Sequence, residues 1–175
     1  MASRTKFSKK PSRLNGKGRS RRADLGLKSA AFHSGESIPV RHTADGDNVS
    51  PPLTWDAPPA EAPALALLVE DPDAPLPEPF VHWLIANIDP AQSGRMLTEG
   101  VHLIPGSVQG TNSFGRLGYG GPEPPRGHGT HHYHFRLYAL DQPLTLREGF
   151  GKEDLLAAMR GHVVATSELI GTYRR

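Results

Sequence analysis

Cysteine is missing from all 175 residues, which excludes a disulfide-stapled fold, a thiolate zinc site and a cysteine nucleophile. Long apolar runs are missing as well. No window approaches the 18 consecutive apolar residues that a membrane-spanning helix needs. The stretch Leu25-Gly-Leu-Lys-Ser-Ala-Ala-Phe32 is interrupted by Lys28 and lacks the extended apolar centre of a secretory leader. The same shortage argues against reading Arg21-Arg22 as a twin-arginine export signal, so a cytoplasmic location is the expectation.

Acidic side chains are absent from the first 22 positions, yet nine of the 20 Lys and Arg residues lie there: Arg4, Lys6, Lys9, Lys10, Arg13, Lys17, Arg19, Arg21 and Arg22. The remainder keeps 11 bases against 18 acids and carries about seven net negative charges. The charge pattern is therefore an acidic body with a basic arm. Only Met1, Ala2, Phe7 and Leu14 are apolar in residues 1–22, too few to offset the entropy of ordering them. We read residues 1–24 as a disordered arm and 25–175 as a single domain. The arm is either a solubilising tail or a binder of nucleic acid or an anionic membrane through counterion release. With Phe7 as its one aromatic residue, it offers little for base stacking.

Glycine and proline are plentiful, about a fifth of the chain, which favours a turn-rich, mainly β domain over a helix bundle. Leu65-Ala-Leu-Leu-Val69 is apolar on both faces and reads as a central strand covered on both sides. It ends at Asp71-Pro-Asp-Ala-Pro75, where two prolines forbid further pairing. Phe80 to Ile88 is a second apolar strand, broken only by His82 and Asn87. Residues 105–130, dense in glycine and proline, form a long ordered loop that leads into a third strand, His131 to Leu140. In that strand Tyr133, Phe135, Leu137 and Ala139 share one face, with His131 at its end, and His132, His134, Arg136 and Tyr138 share the other. Glu153–Arg160 suits a short helix with acids in its first turn, and Val163 to Ile170 is strand or helix.

Polar groups thus collect at the ends of apolar strands: Asp71 and Asp73, His82, His131 and Tyr133. Singly, each has an ordinary structural explanation. Asp-Pro-Asp forms turns closed by side-chain hydrogen bonds, an isolated strand histidine is commonly a satisfied core residue, and a buried tyrosine usually bonds its hydroxyl. Together, beside a glycine-rich loop, they would suit an anion, because imidazole and loop N–H groups make charge-assisted bonds to phosphate or carboxylate oxygens. A carboxylate in the same place favours a zwitterionic or pH-sensitive ligand. His132-x-His134 has the form of a zinc pair, with His128 or a carboxylate as a further candidate, but no third ligand stands in register. Ser107 and Ser113 lack an activated-serine setting.

Asp71-Pro-Asp-Ala-Pro75, His82-Trp83, Gly120-Gly-Pro122 with Pro125-Arg-Gly127, and Gly129-Thr-His-His-Tyr133 follow one another in this order. With Ser50-Pro-Pro-Leu-Thr-Trp55 and Glu168-Leu-Ile-Gly-Thr-Tyr173 they make residues 30–174 resemble the phosphatidylethanolamine-binding proteins, in particular the bacterial and archaeal group similar to Raf kinase inhibitor protein. The resemblance implies a large central antiparallel sheet packed on a smaller sheet, with a few short peripheral helices. It also implies a non-catalytic pocket for phosphate or phosphorylethanolamine-like anions, with no cofactor and no metal. Carried over by motif, the pocket residues are Asp71, Asp73, Pro75, His82, Gly121, Pro122, His131 and Tyr133, with a cis peptide before Pro75. In this scheme His82 and His131 donate to the anion, Asp71 orients an imidazole or accepts from an ammonium, and Asp73 and Pro75 shape the wall. Inhibition of a kinase or protease through the surface is the alternative function. The chain departs from many bacterial relatives by lacking cysteines near Ala44 and Glu123, and Glu123 adds a carboxylate to the glycine-rich loop.

Overall fold

The computed structural model describes residues 23–102 and 104–175. The expectation of a disordered arm falls on residues 1–22, which lie outside the described residues. Strands β1 (Ala23–Asp24), β2 (Lys28–Ser29) and β3 (Leu53–Thr54) precede the long strands β4 (Ala64–Asp71) and β5 (Phe80–Ile88). Then come β6 (Met96–Leu97), β7 (Val108–Gln109), β8 (His131–Leu140), helix α1 (Lys152–Met159) and β9 (Val163–Tyr173). The large sheet has the order β1-β9-β8-β4-β5-β7, and the small one β2-β3-β6.

The long strands form where the apolar runs end at turn residues, and β4 sits between β5 and β8 with all eight residues buried. Leu65, Leu67 and Val69 face one way, joining Trp83, Ile85, Phe135 and Leu137 in a core closed by Leu25, Phe32, Leu53 and Trp55. Ala64, Ala66 and Leu68 face the other way, packing with Leu84, Ala86, Leu155 and Met159 under α1. Covering both faces is what permits an uninterrupted apolar strand, and each large side chain so buried contributes roughly 1.5–3 kcal/mol.

β8 alternates as its sequence requires, with Tyr133, Phe135, Leu137 and Ala139 buried. The exposed-side row is tied down by charge: Arg136 pairs with Glu70 and with Glu168, and Lys152 reaches Glu70 at 2.6 Å. Helix α1 carries Glu153 and Asp154 in its first turn, where they favour the helix N-terminus.

Three expectations need correction. The large sheet is mixed, because β1 runs parallel to β9 while the other pairs are antiparallel. That pairing, Ala23 with Ala165 and Asp24 with Thr166, also takes Ala23 and Asp24 out of the arm and into the folded unit. Finally, no peptide bond among the described residues is cis, the one before Pro75 included. The turn is closed instead by the Asp73 N–H donating to Asp71 Oδ1 at 2.8 Å and the Leu76 N–H donating to the Ala74 carbonyl at 2.7 Å.

Candidate functional site

The period-two row Leu65, Leu67, Val69 on the sandwich face continues to Asp71 at the end of β4, so this carboxyl emerges beside a hydrophobic core. It is 3% exposed. A break in register delivers His82 to the same place. Val69 pairs with Trp83 but Glu70 with Val81, leaving His82 as the additional residue of a β-bulge. A bulge re-aims one side chain without ending the strand, and here the His82 ring meets Tyr133 edge-on with centroids 5.1 Å apart.

Its Nδ1 lies 2.6 Å from the Gly120 carbonyl oxygen. A carbonyl only accepts, so Nδ1 carries the proton and Nε2 carries the lone pair of the neutral ring. Burial is the dominant influence and holds the His82 pKa below the usual histidine value, against the opposing pull of the Gly120 bond and the Asp71 charge. His82 is therefore neutral at pH 7.

His131, at the start of β8 and 1% exposed, donates from Nδ1 to Asp71 Oδ2 at 2.6 Å. Its Nε2 lies 2.8 Å from Nδ1 of His128. Both Asp71 oxygens are thus engaged, one by His131 and one by the Asp73 amide. The Tyr133 hydroxyl is buried and has no hydrogen-bond partner among the described residues. Burial first, and the Asp71 charge second, push its pKa far above the ordinary tyrosine value, so it remains a donor throughout the physiological range.

Asp71, Pro75, His82, His131 and Tyr133 line one cavity of about 250 Å³, whose wall is completed by Ala74, Leu76, Phe80, Phe114, Glu123, Pro124 and Pro125. Asp73, Gly121 and Pro122 are not in that lining. The Asp73 carboxylate turns outward and accepts from the His132 N–H at 2.8 Å and from His132 Nδ1 at 2.7 Å. Burial raises its pKa less than these bonds and the neighbouring imidazoles lower it, so the balance falls below the usual carboxylate value.

Gly121 and Pro122 work behind the wall. The Gly121 N–H donates to Asn48 Oδ1 at 2.7 Å and the Pro122 carbonyl accepts from the Ala44 N–H at 3.0 Å. A Cβ on Gly120 would stand 2.5 Å from the Phe114 ring, and one on Gly121 would stand 2.6 Å from the His42 carbonyl oxygen. The glycine pair is required by close approach on both sides.

Sequence reasoning missed the apolar half of the cavity. Phe80 and Phe114 stack edge-on at 4.8 Å, and Phe114 comes from the long loop, where no periodicity signals burial. It also missed the link from His128 to His131, although the three-residue spacing at the mouth of a strand was visible. His132 and His134 do not converge on a common ligand, since His134 Nδ1 donates to Glu168 Oε1 at 2.8 Å. Among the described residues no group of three or more His, Asp or Glu side chains is arranged to hold a metal ion, and no helix is long and apolar enough to cross a membrane.

Residues 28–174 match the family model described as phosphatidylethanolamine-binding protein. A UPF0098 protein of Methanothermobacter thermautotrophicus is 52% identical over 153 residues, covering 86% of this chain and 99% of the relative. The crystal structure of a phosphatidylethanolamine-binding protein homolog from Chlamydia trachomatis superposes with a TM-score of 0.80 at 42% identity, covering 87% of this chain and 98% of that one. Escherichia coli YbcL, described as a member of the mammalian family, also gives 0.80, at 30% identity and coverage of 87% and 99%. A family model that takes in all the long strands, with relatives this similar over nearly their whole length, makes the chain a member of the phosphatidylethanolamine-binding protein family.

Proposed function

We propose that the protein is a non-catalytic binding protein whose cavity takes a small phosphate-type anion, such as inorganic phosphate or the head group phosphorylethanolamine. The observation that carries this reading is the Tyr133 hydroxyl, a buried donor in the cavity wall with no acceptor among the described residues. An unpaired buried polar group costs about 1–3 kcal/mol, and a ligand oxygen removes that cost. The carboxylate of Asp71 does not oppose an anion as a bare charge would, because both of its oxygens are already hydrogen-bonded. Glu123 stands at the wall 48% exposed and faces the Arg175 guanidinium at 3.7 Å, which offsets its charge.

Neutral His82 decides which ionic form enters. Its Nε2 lone pair repels the oxygen of a phosphate dianion. A monoanion donates its P–O–H proton to Nε2, and a dianion is accepted only when the ring takes up a proton. Either complex holds one more proton than the separated neutral ring and dianion. Affinity for phosphorylethanolamine should therefore fall about tenfold per pH unit once the ligand has passed its second ionisation near pH ~6.

Calorimetric titration between pH 5.5 and 8 tests this. We expect saturable binding that weakens with that slope, and at least a tenfold loss in His131→Ala. Tyr133→Phe should lose about three- to tenfold in affinity without losing stability. A flat pH profile, or unchanged binding in both folded variants, would remove the assignment.

A further inference from the structure

His131 lines the cavity, but neither of its ring nitrogens is free. Nδ1 is committed to Asp71 Oδ2 at 2.6 Å, so a ligand oxygen can bond to this ring only at Nε2, through a P–O–H hydrogen or a second proton on the ring. His128 Nδ1 occupies that position at 2.8 Å, with the two rings 5.0 Å apart between centroids. The Asp71–His131–His128 chain is consequently closed upon itself.

The holder of that position is lightly attached. His128 is exposed and stands between Gly127 and Gly129, whose φ angles are 75° and 102°. These left-handed values suit glycine, and at both glycines nothing lies within 4 Å of where a Cβ would stand. The backbone is anchored to one side by the Gly127 N–H donating to the Arg175 carbonyl and the His128 N–H donating to the Pro125 carbonyl. The bond to His131 is the one hydrogen bond made by the His128 side chain among the described residues.

We propose that His128 is an internal competitor for the anion: its imidazole holds the Nε2 position of His131, and ligand entry requires that side chain to swing out on the flanking glycines. The inference rests on the anion-pocket reading above and adds to it a residue that sets affinity from outside the cavity wall. A competitor lowers the apparent affinity by the fraction of time it occupies the site. Exchanging one hydrogen bond for another leaves a net effect the size of a single bond, about three- to tenfold in binding.

Phosphate titration of wild type, His128→Ala, His128→Asn and His131→Ala at one pH separates the outcomes. Removing the competitor in His128→Ala should tighten binding about three- to tenfold. His128→Asn keeps a hydrogen-bonding atom close to the position of Nδ1 and should stay near wild type. Weaker or equal binding by His128→Ala, or equal tightening by both variants, overturns the competitor, the latter because it would mark a loosened loop. Failure of every variant to bind phosphate overturns the anion pocket itself, and the competitor with it.

Discussion

At the scale of single residues, the site is governed by which polar atoms already have partners. Asp71 and His131 are fully engaged, the Tyr133 hydroxyl has no protein partner among the described residues, and His82 is kept neutral by burial with its proton fixed on Nδ1 by the Gly120 carbonyl. The last has a consequence for stability. The His82 pKa is lower in the folded protein than in the unfolded chain, chiefly because burial disfavours the charged ring. Below the ordinary histidine value of about 6.5 the unfolded chain therefore binds a proton that the folded protein refuses. This contribution is fully present above that value. It is lost as pH falls from there toward the folded pKa, at a cost of at most about 1.4 kcal/mol per pH unit. Denaturant melts of wild type and His82→Gln at pH 7 and pH 5 measure it, since glutamine does not titrate. Wild type should lose more stability over that interval than the variant, and equal losses would show that burial of His82 does not act in this way.

At the scale of elements, β4 and β5 were legible because their apolar runs are long and end in turn residues, and β8 because it alternates without a break. Length arbitrated there, but not for Val163–Tyr173, whose β-branched residues suit a strand while its position after α1 leaves a helix open; pairing with β8 decides it. Two features were hidden. The bulge at His82 is a register shift between β4 and β5, and register depends on a partner that a single strand does not encode. The β1–β9 pairing joins two residues to a strand some 140 positions away. Gly121 and Pro122, pocket residues by the resemblance, stand outside the cavity lining, where Gly121 lets two loops touch. A Cβ there would meet the His42 carbonyl oxygen at 2.6 Å, Asn48 Oδ1 at 2.7 Å and Thr43 Cα at 2.9 Å. Two of these atoms are backbone and yield poorly. Gly121→Ala should cost about 1–3 kcal/mol in denaturant unfolding. The loss appears before any ligand is added, because the loop holding the Gly120 carbonyl against His82 shifts with it. A stability within error of wild type would mean that the loop accommodates the methyl group freely.

At the scale of the whole molecule, charge is separated along the chain as nothing in the fold requires. Residues 1–22 hold nine bases and no acid, while the rest carries about seven net negative charges. That acidic remainder repels polyanions, so any affinity for nucleic acid must come from the basic segment and from the counterions it releases. Each phosphate neutralised contributes about −0.9 to the slope of log affinity against log salt. If six of the nine bases engage, the slope is about −5, and binding to a short DNA duplex collapses between 50 and 200 mM salt. Fluorescence anisotropy of the full chain and of a chain lacking residues 1–22 measures both quantities. Deletion should abolish DNA binding, and phosphate affinity should be unchanged because the side chains proposed to hold the anion, His82, His131 and Tyr133, come from the strands of the domain. Binding that survives deletion would place the contact on the acidic domain, where it would have to be read through specific residues rather than through net charge. A full chain that does not bind even at low salt would leave the basic segment as a solubilising tail.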